Sequence, residues 1–201
     1  MTLEEIRSRL KNNLVIDDAE FDALYPKSFL EISDRHFSSI YVCQLVSKFL
    51  SEQKKAKILD IGSGAGKFCL IGALANENSN FTGIEYRATL HQEAVELKNQ
   101  FQLTNCQFLN GNILDYQLQD FNAFYMFNPF LEQKDKSAII AMDYNHENEI
   151  DYLDYVLSEL EKLPSGTRLA TYYIDKKLIP NSFSLIKSQV GNQLHFFIKI
   201  S

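Results

Sequence analysis

Apolar positions keep a helical spacing through the first fifty residues and then switch to short runs alternating with helical stretches. Leu3, Ile6 and Leu10 form one amphipathic stripe, and Phe37, Ile40, Tyr41, Leu45 and Phe49 form a longer one, expected to face inward. Between them Leu24-Tyr25-Pro26-Lys27 interrupts the pattern, because proline disfavours helix at the residue before it. Ser33 or Asp34 would cap the second helix. From Lys57 the texture predicts strands over 57–61, 80–86, 106–109, 122–127 and 167–173. Helices are predicted over 65–75, 88–101 and 149–163. The second of these carries Leu90, Ala94, Leu97 and Phe101 on one face; the third turns Ile150, Leu153, Val156, Leu157, Leu160 and Leu163 inward.

Strands separated by helices imply right-handed crossovers and a mainly parallel sheet covered on both faces. The tail departs from that rhythm. Residues 182–188 and 193–200 are two strand-like runs around Gln189-Val190-Gly191-Asn192, a hairpin signal. The expected fold is therefore α/β: a doubly wound, mainly parallel, seven-stranded sheet ending in an antiparallel hairpin. Residues 1–52 make an N-terminal helical extension that lids the site, and residues 53–201 the sheet domain. A ligand belongs at the carboxyl ends of the strands, near the switch point.

Composition narrows the partners. The chain's 201 residues are 45% hydrophobic and 23% charged, which excludes wholesale disorder, and no apolar run approaches a membrane span. Cys43, Cys69 and Cys106 lack metal-binding or disulfide spacing, so no metal site is expected and a reducing, cytoplasmic setting is. The net charge of −6 is concentrated: seven acidic residues and no Lys or Arg lie between Asp143 and Glu161, leaving twenty basic against nineteen acidic residues elsewhere. That segment reads as a solvated acidic helix face. Such a chain lacks the basic excess needed to grip phosphate backbones unaided, so nucleic acid is not expected as a partner without a helper protein.

The chemistry concentrates in Ile58-Leu59-Asp60-Ile61-Gly62-Ser63-Gly64-Ala65-Gly66-Lys67. A P-loop fits only Gly66-Lys67; Ile61 stands where its first glycine belongs and Phe68 where its Ser/Thr belongs. A dinucleotide loop needs a third glycine at 67, which is Lys. The spacing Asp60-x-Gly62-x-Gly64-x-Gly66 instead resembles the first motif of class I S-adenosylmethionine-dependent methyltransferases. Glu85, twenty-three residues after Gly62 at the end of the next strand, stands where a carboxylate can accept from both ribose hydroxyls.

The resemblance continues down the chain. It implies an adenine contact after the third strand, where Asn112 replaces the usual Asp and Asp115 is the other candidate. Phe127-Asn128-Pro129-Phe130, after the fourth strand, is similar to the Asn-Pro-Pro-aromatic motif of enzymes that methylate amino nitrogens, one residue short; it also fits a plain strand-to-loop turn. The implied cofactor is S-adenosylmethionine, held by Asp60, Gly62, Ser63, Gly64, Gly66, Glu85, Tyr86, Asn112, Ile113 and Asn128. Asn128, Pro129, Phe130 and His36 are the candidates for the transfer step, His36 as a base, although a capping role suits it equally. Arg35 could pair an acidic group on the acceptor or lie on the surface. The expected acceptor is a small molecule or protein side chain; the alternatives are a nucleic-acid amino group and a non-catalytic cofactor-binding module.

Overall fold

The computed structural model describes residues 1–12, 14–27, 29, 37–128 and 152–201. The N-terminal extension begins with α1 (Leu3–Lys11) and α2 (Asp18–Asp22). Each is started by a capping box: Thr2 with Glu5, and Asp17 with Glu20. In this motif side chains satisfy backbone N–H groups that the first helical turn leaves unpaired. Next comes α3 (Ile40–Leu50), capped by Ser39, whose hydroxyl accepts from Val42 N. Ser33 and Asp34, the expected caps, lie outside the described residues. The inward stripe also differs from expectation. Ile40, Val42, Cys43, Val46, Phe49 and Leu50 are buried, whereas Tyr41 is 60% exposed. The face presented to the sheet fixes the helical phase, and Tyr41 falls on the other side, where its hydroxyl meets water.

The sheet domain runs β1 (Lys57–Ile61), α4 (Lys67–Ala75), β2 (Asn80–Glu85), α5 (Ala88–Gln100), β3 (Cys106–Asn110) and β4 (Ala123–Phe127). Then follow α6 (Tyr152–Glu161), β5 (Arg168–Tyr172), β6 (Phe183–Gln189) and β7 (Leu194–Lys199). Residues 149–151 of the expected third helix lie outside the described residues. The seven strands are ordered β3-β2-β1-β4-β5-β7-β6. Pairings among β1 to β5 are parallel, while β7 runs antiparallel between β5 and β6. The expected sheet, with its closing hairpin, is the one observed.

Side-chain alternation splits the core into two layers. Ile58 on β1 and Tyr125 on β4 face α3, α4 and α5; Leu59, Ile61, Phe124 and Met126 face α6 and the 3₁₀ turns after β3. The extension is built into the first layer: Ile6, Leu10, Phe21 and Tyr25 are buried in the same cluster as α4. Helix α4 is apolar nearly all round, burying Phe68, Cys69, Leu70, Ile71, Ala73 and Leu74, because other helices cover what the sheet does not. The three cysteines are free and buried. Among the described residues no helix is long and apolar enough to cross a membrane.

Candidate functional site

β1 is followed by β2 on one side of the sheet and β4 by β5 on the other, so the topological switch point, where sheets of this kind form their ligand crevice, lies between the carboxyl ends of β1 and β4. The glycine loop folds back over one side of it. Gly62 N and Ser63 N both donate to Ile84 O, at 3.0 and 2.9 Å, and Gly66 N donates to Ser63 O at 2.9 Å. Two of the glycines act differently. Gly66, at φ +82°, caps α4, and a Cβ there would meet Phe108 at 2.5 Å and Ala94 at 2.8 Å. Gly64, at φ +55°, has open space where a Cβ would stand. The first glycine serves packing; the second leaves backbone free for a ligand to approach.

Glu85 is 4% exposed and ties the loop to the end of β2. Its Oε2 accepts from Gly64 N at 2.9 Å, and its Oε1 accepts from Arg87 N and Arg87 Nε, each at 2.9 Å. Tyr86 beside it is 53% exposed. Asp60 is buried below the loop, with Cys69 Sγ donating to its Oδ2 across 3.7 Å. Burial raises the Asp60 carboxyl to about 8, the Cys69 contact opposing and the Glu85 charge adding to it. Asn112 caps the turn after β3: its Oδ1 accepts from Leu114 N at 3.0 Å and its Nδ2 donates to Tyr152 Oη at 2.9 Å. Ile113 is buried in the second layer. Asn128 closes β4 with φ +36°, its N–H donating to Tyr172 O at 3.1 Å.

The structure thus brings Asp60, Gly62, Ser63, Gly64, Gly66 and Glu85 into one loop-and-strand unit. Tyr86, Asn112 and Ile113 lie at the neighbouring strand ends, and Asn128 stands across the switch point. Pro129, Phe130, His36 and Arg35 lie outside the described residues. His91 contacts Phe108 O at 3.4 Å, and His195 contacts Ser188 Oγ at 2.8 Å within the closing hairpin.

Three features beside the site escape the motif reading. Arg87 occupies Glu85. Lys67, at the first position of α4, is 4% exposed and sits 2.7 Å from Asp18 Oδ1 and 2.6 Å from Asp22 Oδ1. Burial alone would lower the ammonium's pKa, but the bonds to Asp18 and Asp22 outweigh it and hold Lys67 above its ordinary value. Tyr25 Oη donates to Ala65 O at 3.1 Å. A cation at a helix N-terminus opposes the helix dipole, so an apolar helix opening with Lys signals a need for acidic partners. The Asp17-Asp18-Ala19-Glu20-Phe21-Asp22 run is the available source.

The residues present suit S-adenosylmethionine. The loop exposes unhindered backbone at Gly64, and among the described residues the buried Ser63 Oγ has no hydrogen-bond partner. Residues 52–189 match a family model described as a methyltransferase domain, and the chain belongs to that family. It has the class I fold, whose cofactor is S-adenosylmethionine. Among solved structures it is similar to an RNA methyltransferase from Salinibacter ruber in complex with S-adenosyl-L-homocysteine, at 16% identity and TM-score 0.59, over 82% of this chain and 94% of that one. A putative methyltransferase from Escherichia coli is similar at 16% identity and TM-score 0.60, over 81% and 86%. A SAM-dependent methyltransferase from Aquifex aeolicus is similar at 17% identity and TM-score 0.53, over 92% and 98%. No curated protein sequence matches the chain.

Proposed function

We propose that this methyltransferase modifies a small molecule or a protein side chain. The cofactor half of the site carries the reading: Gly64 N–H and the Glu85 carboxylate are locked together at 2.9 Å beside open backbone. S-Adenosylmethionine, when bound, would supply a sulfonium methyl whose carbon an acceptor atom attacks in line, with S-adenosylhomocysteine leaving as the neutral thioether and the acceptor's proton passing to a base or to water. The chain's residues bind and orient. Gly62 to Gly66 present backbone to the methionine end, with Asp60 beneath them. Glu85 accepts from the ribose hydroxyls, sharing its oxygens with Arg87 or displacing that side chain. Tyr86, Asn112 and Ile113 border the adenine; Asn112 Oδ1 has a second lone pair for the amino group beyond the one given to Leu114 N. Asn128 faces the acceptor, and Pro129, Phe130 and His36 remain the other candidates on that side.

The latch from Asp18, Asp22 and Tyr25 onto α4 and Ala65 supports the N-terminal extension as a cover for the loop. Buried, unpaired thiols support a reducing, cytoplasmic setting. A nucleic-acid amino group is the second reading, favoured by Asn128 at the end of β4; the net charge of −6 favours the first.

Calorimetric titration with S-adenosylmethionine and S-adenosylhomocysteine, followed by a labelled-methyl screen of amines, peptides and RNA, tests this. Saturable binding with transfer to an amine or peptide is expected. Transfer to RNA alone selects the second reading, and tight binding without any transfer selects a non-catalytic module.

A further inference from the structure

Three aromatic rings meet at the carboxyl ends of β4 and β5. Phe127 and Tyr172 are paired in register, with ring centroids 4.9 Å apart. Tyr173 lies 4.4 Å from Tyr172 and 5.9 Å from Phe127. Just past the strands, both chains turn through left-handed residues that are not glycine: Asn128 at φ +36° and Tyr173 at φ +56°.

A bulky side chain rarely adopts that conformation, and residues held in it concentrate at functional sites. Tyr173 is pinned there by its N–H, which donates to Gln193 O at 3.1 Å. The conformation turns the residue out of the strand and leaves it 51% exposed. Among the described residues core packing does not account for it, because Tyr173 belongs to neither hydrophobic cluster, whereas Phe127 and Tyr172 pack against the first. A strained, half-exposed tyrosine backed by two anchored rings is a surface for stacking. Flat ligands stack on such rings regardless of their detailed identity.

We infer that Tyr173, backed by Tyr172 and Phe127, is the platform on which a planar, nitrogen-bearing aromatic ring of the methyl acceptor stacks. Asn128, beside it on the next strand, contributes an amide that can accept from a ring amino group and donate to a ring nitrogen. This rests on the methyltransferase reading, which puts the acceptor over β4. A free heteroaromatic molecule and a nucleobase offer the same chemistry.

The test uses full-length protein saturated with S-adenosylhomocysteine, so that the cofactor site is filled. Guanosine, quinoline, a guanosine-containing single-stranded oligoribonucleotide and cyclohexylamine are titrated by ligand-observed NMR. The chain contains no tryptophan, so Tyr173→Trp keeps the platform and gives a single fluorescent reporter. Tyr173→Gly removes the ring while suiting the left-handed backbone, so the variant is expected to keep its fold, which thermal unfolding checks. The expected result is saturable binding of guanosine or quinoline, quenching of the indole emission in the Tyr173→Trp variant, and at least tenfold weaker binding to Tyr173→Gly. Oligoribonucleotide binding tighter than guanosine assigns the ring to a nucleic acid, equal binding assigns it to a free molecule, and either keeps the platform. Equal binding of cyclohexylamine, unchanged binding to Tyr173→Gly, or no ring binding to the wild type overturns it. Failure to bind S-adenosylhomocysteine in the first place counts against the methyltransferase reading instead.

Discussion

The two sides of the crevice are built on different principles. On the β1–β2 side the contacts come from backbone: three loop glycines at positive φ, amides turned onto Ile84 O, and one carboxylate fastened to Gly64 N. On the β4–β5 side they come from side chains, with Asn128 and an aromatic group whose outermost ring is Tyr173. Backbone geometry tolerates little substitution and suits a ligand that never changes. Side chains can be exchanged without disturbing the sheet, which suits an acceptor particular to one enzyme. Mutations should therefore register as stability and cofactor affinity on the first side, and as acceptor choice on the second.

The largest effect expected on the cofactor side is a pH dependence from Asp60. Its carboxyl rises from 3.8 to about 8 on folding, so across that interval the native state holds a proton that the unfolded chain has released. As far as this group is concerned, the stability of the cofactor-free protein should thus be fully present below about pH 4. It should fall as pH rises to 8 and then level off, by at most on the order of 5 kcal/mol. Urea unfolding at pH 5 and pH 8 measures it, and Asp60→Asn should flatten the difference; an equal fall in that variant would remove Asp60 as the cause.

Next comes the latch. Asp22→Ala leaves Lys67 buried with half its compensation and should cost about 3 kcal/mol in the same assay. Adding Lys67→Met should restore most of that loss. If Asp22→Ala is as stable as the wild type, the extension does not hold the loop in place.

The glycines separate packing from access. Gly66→Ala combines a left-handed strain with a clash on Phe108 and should cost about 3 kcal/mol, whereas Gly64→Ala should cost about 1 kcal/mol. In calorimetry Gly64→Ala should nonetheless weaken cofactor binding. Equal stability losses in the two would break the distinction between them.

The smallest effect is expected at Glu85, the proposed ribose ligand. Glu85→Ala should weaken S-adenosylmethionine binding by about 2 kcal/mol and Glu85→Gln by about 1 kcal/mol. Wild-type affinity in both variants would end the ribose assignment.

The legibility of the sequence follows the same divide. β1 is observed at the expected Lys57–Ile61, and the other strands fall within a residue or so of expectation, because buried strands declare themselves as short apolar runs between breakers. The glycine loop is legible because its chemistry is local, with positive φ demanding glycine at fixed intervals. Tyr41 departs from expectation because the orientation of α3 is decided by the sheet it covers, which lies far along the chain. In the sequence Lys67 reads as the one lysine a P-loop would want and as a departure from the dinucleotide motif, and its partnership with Asp18 and Asp22 spans more than forty residues. Nothing in the sequence around Tyr172-Tyr173 announces a left-handed tyrosine. That conformation is imposed by the bond to Gln193, which only the closing hairpin supplies.

The buried cysteines carry a consequence for chemical reactivity. Burial pushes the thiols of Cys43 and Cys69 far up and that of Cys106 to about 12, so the reactive thiolate is scarce at neutral pH. Electrophiles in solution therefore meet no reactive sulfur until part of the chain opens. The three sulfurs sit in α3, in α4 beside Asp60, and at the start of β3. Their order of alkylation becomes a clock for partial opening, in which modification of Cys69 times the loosening of α4, the helix that follows the glycine loop.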